Sequence, residues 1–447
     1  MREIDGHRIG EPLRRPRLQR PNGRDEPLGD HHDDHRDGPR LSPRELARRP
    51  QMWGFVATTA SVEFCRGALF LSLLPAYLTQ AQHLSVAELG VVISGQYLTD
   101  TLCKMPAGWL VDRFGPWRVL LPFLGLAAAA VYLMPRAHDL IPFLLLSIAF
   151  GLGTSANWPA VLAGSVHLAG MRSRASATSI TFLAWLAGGG IGPVLINFLV
   201  GRSFRTAFDV LAAVAIIGPV AAAVGLSGLL RSPEDPPWRE HEGEDLATTM
   251  REAWQNLRQS AWIIPGMFVQ MLALGIVVPV LVPFARTQLH LTQPQYGLLL
   301  LAGGSVTVLC LIPFSRLVDH IGSKRPLVAG FVLAALAVLL LGWAGAEMDL
   351  LWRVALLGLA YAMVLPAWNG LTVGQIDSQR RGLLLGVFMT IEGMGIAIGP
   401  AIGGALYTWA VRAPFVVAAV ILLCVAAFYL TVPDVRFGTR RSSDAPR

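Results

Sequence analysis

The chain has 447 residues, of which 53% are hydrophobic and only 15% are charged, and its formal net charge is +7. Soluble domains carry about 25% charged residues, so this composition excludes an ordinary soluble enzyme. We do not interpret the positive charge as nucleic-acid binding, because the sequence predicts no soluble basic domain that would carry it.

Apolar runs long enough to cross about 30 Å of hydrocarbon follow one another along the chain. We predict twelve transmembrane helices from them, at residues 53–79, 88–111, 117–135, 140–164, 178–201, 206–230, 261–285, 294–315, 325–345, 350–373, 382–408 and 412–432.

Polar segments divide and flank these runs. Residues 1–50 are rich in Arg, Pro, Asp and His, and we predict a disordered cytoplasmic tail. Residues 51–230 and 261–432 then form two six-helix bundles. Between them, residues 231–260 are predicted to be a cytoplasmic linker with a short amphipathic helix on the membrane surface. Residues 433–447 form a second cytoplasmic tail.

Basic residues in the loops predict the orientation of the helices. If the amino terminus is cytoplasmic, thirteen Lys and Arg residues fall in cytoplasmic loops and six fall in outer loops. By the positive-inside rule, we predict a multi-pass protein of the plasma (inner) membrane with both termini in the cytoplasm.

The sequence lacks the patterns of an enzyme or a metal site. All four cysteines fall in apolar runs, and no CxxC is present. A His-rich metal set, a nucleophile motif and a phosphate-binding loop are also missing. We therefore expect no catalytic residue, no metal, no cofactor and no nucleic-acid partner, and we expect a monomer. A non-transporting membrane receptor is the alternative from a different class, but it would need a larger regulatory domain than either tail.

One sequence pattern occurs twice, 207 residues apart. The segments 106–118 and 313–325 share six of thirteen residues, and the same offset aligns Gly192-Pro193 with Gly399-Pro400. Two patterns with one offset indicate a duplicated unit. An even number of predicted helices separates the copies, so both bundles have the same orientation. The predicted fold class is an all-α membrane protein with twelve transmembrane helices in two parallel-repeat six-helix bundles. In such folds the substrate site lies between the bundles near the midplane.

The repeated pattern carries a family resemblance. Between predicted helices two and three, Gly108–Gly115 (GWLVDRFG) resembles the loop signature of the major facilitator superfamily. In the second copy, between helices eight and nine, Ser315 replaces the first glycine. A carboxylate at this helix edge can pair with an Arg or a helix N-terminus when an inner gate is shut. We predict that Asp112, Arg113 and Asp319 are gating residues; alternatively, they only anchor the topology.

Glycine-rich segments accompany a proline in predicted helices five and eleven. They are Gly188–Pro193 and Gly395–Gly404, and in the second segment glycine recurs at 395, 399 and 403. Such spacing leaves one helix face without side chains and permits close helix packing. The helix-five segment also resembles a motif of superfamily exporters that exchange their substrate against protons. Both interpretations stay open at this point.

Charged residues inside the first two predicted helices indicate function. Glu63 and Arg66 are three residues apart, and Asp100 and Lys104 are four apart, so each pair shares one helix face. A charge at mid-bilayer costs at least about 2.5 kcal/mol, and such residues usually face a cavity. The equivalent residues of the second half are uncharged: Gln270, Ala273, Thr307 and Leu311. The cavity is therefore predicted to have one ionisable wall and one apolar wall.

These four residues allow a structural and a functional interpretation. Either they form two neutralising pairs that hold helices one and two together, or one carboxylate carries a proton. Burial and a neighbouring cation act on the ionisation of a carboxyl group in opposite directions, which favours the second interpretation. We predict Glu63 and Asp100 as proton-coupling residues, and Arg66 and Lys104 as ligands of an anionic or polyhydroxylated group.

The second half contains one deep charge, Glu392, in predicted helix eleven. This residue is protonated, hydrogen-bonded to Thr390, or a further proton-coupling site. Aromatic rings stack well on sugars and on cations. The further predicted substrate-binding residues are Asn157, Trp158, Trp185 and Trp368.

A polar wall opposite an apolar wall suits an amphipathic substrate. The matching residues Glu63, Arg66, Asp100, Trp158 and Trp185, with Arg113 in the loop, resemble the set found in the lipoteichoic-acid glycolipid flippases of Gram-positive bacteria, a branch of the superfamily. The resemblance implies a proton-coupled secondary transporter that exports or flips an amphipathic substrate, with a glycolipid as one option. A multidrug efflux antiporter is the alternative. The expected partners are the lipid bilayer, protons, and an amphipathic small molecule or glycolipid.

Overall fold

The computed structural model describes residues 43–46, 48–169, 173–227, 261–345, 347–374 and 381–433. All of them belong to one compact unit, Pro39–Arg447. This described part consists of helices and their connections, without a β-strand. The predicted linker at 231–260, most of the predicted amino-terminal tail and residues 434–447 lie outside it.

The described part begins with a helical turn, Pro43–Leu46, inside the segment predicted to be a tail. Leu46 is fully buried in a cluster with Met52 and Ala177. Arg49 donates a hydrogen bond of 2.7 Å to the carbonyl of Leu168. Packing therefore begins upstream of residue 51, the predicted start of the first bundle.

Twelve long helices follow, and the prediction of a twelve-helix, all-α membrane protein is confirmed. They are α1 (Pro50–Gln80), α2 (Val86–Phe114), α3 (Pro116–Arg136), α4 (Leu140–Ala169), α5 (Arg174–Val200), α6 (Phe204–Leu226), α7 (Ile264–Thr287), α8 (Gln293–Ile321), α9 (Lys324–Gly342), α10 (Glu347–Gly374), α11 (Arg381–Trp409) and α12 (Ala413–Thr431). Eleven of the described helices are long and apolar enough to cross a membrane. The remaining one is α2, whose hydropathy is lowered by polar residues such as Gln96, Asp100 and Lys104.

The sequence repeat is also a repeat of local structure. Ser85 and Thr292, 207 positions apart, each begin a 29-residue helix with a capping box. Gly115 and Gly322, at the same offset, end those helices with φ values of 82° and 80°. Only glycine adopts this region of backbone space without strain, so both copies of the loop pattern need glycine there. The two loops make the same tight turn.

Helix packing within each half depends on glycine at the crossings. A Cβ on Gly151 of α4 would collide with the carbonyl of Gln96 on α2, and Gly358 meets the carbonyl of Gly303 in the same way in the second half. In the glycine-rich segments, Gly192 lies against α1 and Gly399 lies against α7 without room for a side chain. The packing interpretation of those two segments is thus confirmed.

The two halves meet through α2 with α11 and through α5 with α8. We call the end of the bundle that carries Pro50 and Thr431 the terminal end. At the opposite end, a Cβ on Gly90 of α2 would collide with the carbonyl of Pro400 on α11, and the hydroxyl of Ser94 accepts a hydrogen bond of 2.9 Å from the backbone N–H of Ala401.

The halves separate toward the terminal end. Near the middle of α2, Thr101 still packs closely against Gly393 of α11. One helical turn closer to the terminal end, Met105 and Met389 are 47% and 37% exposed. These two residues continue the contacting faces of their helices, because residues four apart lie above one another. The space between the halves therefore opens at the terminal end.

A π-helical segment, Leu69–Leu73, interrupts α1 near the closed end. The carbonyl of Leu71 accepts a hydrogen bond of 3.3 Å from the hydroxyl of Tyr296 on α8. The hydroxyl of Ser72 accepts one of 2.8 Å from the side-chain amide of Asn197 on α5. Leu71 lies four residues before Pro75, which has no N–H to donate, so the Leu71 carbonyl is available to join the first half to the second.

Candidate functional site

The four charged residues predicted in the first two helices form a single cluster. Arg66 Nη2 of α1 lies 3.1 Å from Asp100 Oδ1 of α2, and Nη1 lies 3.4 Å from Oδ2, so the contact is bidentate. Lys104 Nζ lies 2.7 Å from Asp100 Oδ2, and Arg66 Nε lies 3.8 Å from Glu63 Oε2. Charge-assisted bidentate contacts are strong and fix geometry. The cluster joins α1 to α2.

Both pairs on common helix faces are present, Glu63 with Arg66 and Asp100 with Lys104, and Arg66 makes a further contact with Asp100 on the other helix that the sequence did not indicate. Helix periodicity places residues on a face of their own helix, but it does not indicate which neighbouring helix faces them. A role in holding helices one and two together and a role in proton coupling both stay predictions.

Asp100 is the most firmly held member of the cluster. Its side chain is only 2% exposed, and it lies between both cations. The hydroxyl of Thr154 on α4 donates a third contact, 3.2 Å from Oδ1. Thr154 was not predicted from the sequence, because a threonine in an apolar helix has no distinctive pattern. Its position follows from the close crossing of α2 and α4 at Gly151.

Glu63 has a different environment. It is 8% exposed, and its ion pair with Arg66, at 3.8 Å, is longer than a hydrogen bond. Protonation of Glu63 would weaken one long contact, whereas protonation of Asp100 would disturb contacts with three donors. The two carboxylates are therefore not equivalent, although both were predicted to couple to protons on the same grounds.

The cations are the more accessible part of the cluster. The side chains of Arg66 and Lys104 are 16% and 28% exposed. Arg66 Nε is buried and has no hydrogen-bond partner among the described residues. The guanidinium thus keeps donor capacity beyond its contact with Asp100, as a ligand for an anionic or hydroxyl-rich group requires.

The second half has no counterpart of this cluster at the equivalent positions. Gln270 and Ala273 are buried, and Leu311 is partly buried. Thr307, the equivalent of Asp100, donates to the carbonyls of Gly303 and Gly358 at 3.1 Å and 3.0 Å. At this position the first half has a carboxylate, whereas the second half has a hydroxyl that stabilises the crossing of α8 and α10.

Glu392 on α11 is paired with a residue that was predicted for another role. The ring N–H of Trp368 on α10 donates a hydrogen bond of 2.7 Å to Glu392 Oε1. Trp368 is only 5% exposed and lies edge-on to Tyr429, with ring centroids 6.3 Å apart. In this conformation the ring offers little surface to a substrate. Like the contacts of Asp100 with Arg66 and with Thr154, the contact of Trp368 with Glu392 was not predicted from the sequence.

The remaining predicted substrate residues lie on α4 and α5. Trp158 and Trp185 are half-buried, and Trp185 stacks on Phe182 with ring centroids 5.3 Å apart. Asn157 is 2% exposed, and its side-chain oxygen has no hydrogen-bond partner within the described part. Their role in substrate binding stays a prediction.

The predicted gating residues lie at the terminal ends of α2 and α8. Asp112 lies on α2, and its side chain is outside the described part. Arg113 is exposed, with its guanidinium 5.2 Å from the ring centroid of Trp109. Asp319 is exposed on α8. The structure describes no closed gate at this end, and gating stays a prediction.

Two six-helix repeats in one orientation, with a buried ionic cluster in the first of them, are typical of membrane transport proteins built from parallel repeats. The sequence profile of the Major Facilitator Superfamily matches residues 55–269 and 263–447, and the chain belongs to this superfamily.

Several characterised proteins are similar over most of the chain. The proton-coupled antiporter flippase LtaA of Staphylococcus saprophyticus is 26% identical over 379 residues, which cover 82% of this chain and 90% of the relative. LtaA of Staphylococcus aureus (strain USA300) is 24% identical over 377 residues, covering 82% and 91%. The name and the activity that it states are those of the similar proteins.

Solved structures share the fold. The nucleoside transporter NupG is 14% identical, with a TM-score of 0.66 over 86% of this chain and 100% of that one. The inward open conformation of the xylose transporter XylE from E. coli is 14% identical, with a TM-score of 0.58 over 88% and 96%. At this level of identity the likeness concerns the fold alone.

Proposed function

We propose that the protein is a proton-coupled antiporter of the plasma membrane that flips an amphipathic lipid, a glycolipid, by alternating access. The observation that carries the proposal is the buried cluster of Glu63, Arg66, Asp100 and Lys104, which lies in one half only. The relatives named as proton-coupled antiporter flippases support the same function.

Glu63 is the proton carrier in this proposal. Its carboxylate is buried but has one long ion pair in the described part, so it can exchange a proton without dismantling the cluster. Asp100 keeps Arg66 in place through the bidentate contact. Antiport requires that headgroup and proton exclude each other: the ionised Glu63 can accept hydrogen bonds from the hydroxyls of a sugar headgroup, and protonation removes that negative acceptor and favours release of the headgroup.

The lipid headgroup binds on the side of the cations, and its chains lie against the second half. Arg66 and Lys104 present guanidinium and ammonium groups that are partly exposed. The equivalent positions of the second half are apolar, with Ala273 buried and Leu311 partly exposed. A lipid with a polar head and apolar chains matches this division between the two walls.

The conformation fits one state of the transport cycle. The halves are joined at the end remote from the termini and separated beyond Thr101 and Gly393. With both termini in the cytoplasm, as the distribution of basic residues indicates, this state is open to the cytoplasm. Closing the terminal end and opening the other would carry the bound lipid across.

Reconstitution in liposomes with an imposed pH gradient tests the proposal. We expect flipping of a fluorescent diacylglycerol glycoside that accelerates with the gradient and is accompanied by proton movement. Efflux of a cationic dye in place of the glycolipid would assign the protein to the multidrug antiporters instead. Flipping that ignores the gradient would refute proton coupling.

The matched pair of variants is Glu63→Gln and Glu88→Gln. Both replace a carboxylate by an amide, but Glu88 is a partly exposed capping-box residue whose equivalent in the second half is already Gln295. We expect loss of proton coupling in Glu63→Gln and none in Glu88→Gln.

A further inference from the structure

A groove lies between α2 and α3 near their connection at the terminal end, away from the charged cluster. It has a volume of about 330 Å³ and is lined by Leu110, Phe114, Val119, Phe123 and Arg118. The lining is apolar apart from Arg118. Small-molecule sites range from about 300 to 1,000 Å³, so the groove has room for one acyl chain rather than a whole lipid.

Exposed aromatic rings and arginines also occur at positions next to the lining residues of this groove. Trp109, Phe114 and Trp117 are 49%, 45% and 36% exposed. The guanidinium of Arg113 lies 5.2 Å from the ring centroid of Trp109 and 5.7 Å from that of Phe114. Arg118 lies 4.9 Å from the ring centroid of Trp117. An arginine that stacks on a ring can still offer N–H donors to a phosphate.

The second copy of the repeat shows that the shared turn does not need these aromatic residues. At the 207-residue offset, four aromatic residues of the first half correspond to non-aromatic residues of the second. Trp109, Phe114, Trp117 and Phe123 correspond, in this order, to Arg316, Ile321, Lys324 and Gly330. Lys324 donates a hydrogen bond of 2.6 Å to the carbonyl of Val432, so the basic residue there stabilises the end of α12. The aromatic residues are thus specific to the first half, whereas Arg118 has a basic counterpart in Arg325.

We propose that this groove binds one phospholipid with a net negative headgroup, taken from the leaflet on the side of the termini. An acyl chain lies against Leu110, Phe114, Val119 and Phe123, and the phosphate contacts Arg118 and Arg113. Charge complementarity selects the headgroup, and the apolar lining requires the chain. Tryptophan rings at the membrane–water boundary keep the groove at headgroup depth. The site is separate from the one that transports lipid, so it stands or falls independently of the proposed function.

Binding is tested on the full chain in detergent by native mass spectrometry and by thermal unfolding. The probes are dioleoyl phosphatidylglycerol, dioleoyl phosphatidylcholine and glycerol phosphate. We expect one retained phosphatidylglycerol that raises the melting temperature, weaker retention of phosphatidylcholine, and no effect of glycerol phosphate, which has no chain. Equal retention of the two lipids would overturn the selection by charge, and a full effect of glycerol phosphate would overturn the role of the groove.

Two variants and one matched control locate the site. Arg113→Gln with Arg118→Gln should weaken phosphatidylglycerol binding roughly 30-fold, since each basic residue near a membrane surface contributes roughly fivefold. Leu110→Trp, which narrows the groove and keeps both charges, should also abolish retention of the lipid. Arg136→Gln is the control, because Arg136 lies 4.2 Å from the ring of Tyr132 at the other end of the same helix. If Arg136→Gln weakens binding as much as the double variant does, or if the double variant binds normally, the proposal is wrong.

Discussion

The guanidinium of Arg66 lies 3.1 Å from Asp100 on the neighbouring helix and 3.8 Å from Glu63 on its own helix. This difference divides the two buried carboxylates between two tasks. Asp100 holds the cation and is itself held by Lys104 and Thr154, whereas Glu63 is close enough to respond to the cation without being fixed by it.

Replacing Glu63 by Gln should uncouple transport from protons and leave the protein folded. The amide keeps the shape of the side chain and is the residue found at the equivalent position 270 in the second half. We expect glycolipid exchange down its own gradient to continue, with no acceleration by a pH gradient, and a melting temperature close to that of the unchanged protein. A retained response to the pH gradient would move the proton site away from Glu63.

Replacing Asp100 by Asn should lower stability as well as transport. The change leaves two cations facing one carboxylate in a largely buried site, and removing one partner of a buried ion pair costs about 3–5 kcal/mol. Thermal unfolding in detergent measures the loss. The double variant Asp100→Asn with Lys104→Leu restores charge balance and should recover much of the stability. A double variant as unstable as the single one would show that charge balance is not the cause.

Thr154 should act through its hydroxyl group. Thr154→Val preserves the shape and removes the donor to Asp100, and a hydrogen bond to a charged group contributes about 1.5–3 kcal/mol. Thr154→Ser keeps the donor and should stay near the stability and transport rate of the unchanged protein. Equal damage from both substitutions would indicate that the methyl group and its packing matter instead.

Trp368 should serve Glu392 rather than the substrate. Trp368→Phe keeps most of the buried ring and removes the N–H that donates to Glu392 at 2.7 Å. We expect a loss of stability of about 1–3 kcal/mol and an unchanged apparent KM for the glycolipid. A raised KM together with a normal melting temperature would restore the original prediction that Trp368 contacts the substrate.

Tyr296 should hold the closed end together. Its hydrogen bond to the carbonyl of Leu71 joins the two halves, so Tyr296→Phe should increase the population in which that end is open. Maleimide labelling of a cysteine introduced at Thr101, in a background free of other cysteines, should become faster from the side opposite the termini. Tyr407→Phe is the control, because Tyr407 is hydrogen-bonded to Thr287 within one half. Equal acceleration by both variants would contradict a specific role for Tyr296.

The helices and the repeat were accessible from the sequence because both depend on local patterns. Apolar runs have the length that the membrane requires, and Gly115 and Gly322 reappear at a fixed offset because the same turn needs glycine twice. The pairing of Glu63 with Arg66, and of Asp100 with Lys104, on common faces also follows from helix periodicity.

The contacts between helices were not accessible in the same way. Arg66 with Asp100, Thr154 with Asp100, and Trp368 with Glu392 each join two different helices. Their geometry depends on helix crossings such as the one at Gly151, where the backbone of α2 occupies the space that a side chain on α4 would need. A single sequence contains no periodic pattern that records which helices cross, so these partners could be found only in the structure.

The π-helical segment Leu69–Leu73 divides α1 into two parts with different rotational phase. One extra residue in the turn offsets the parts by roughly 100° compared with an uninterrupted α-helix, which advances by that angle per residue. A single helical wheel drawn through Glu63 and Tyr77 would therefore assign one of them to the wrong side. A sequence alignment with one residue too many or too few in this segment would therefore assign the wrong relative faces to the two parts of α1, although the hydropathy of α1 would stay the same.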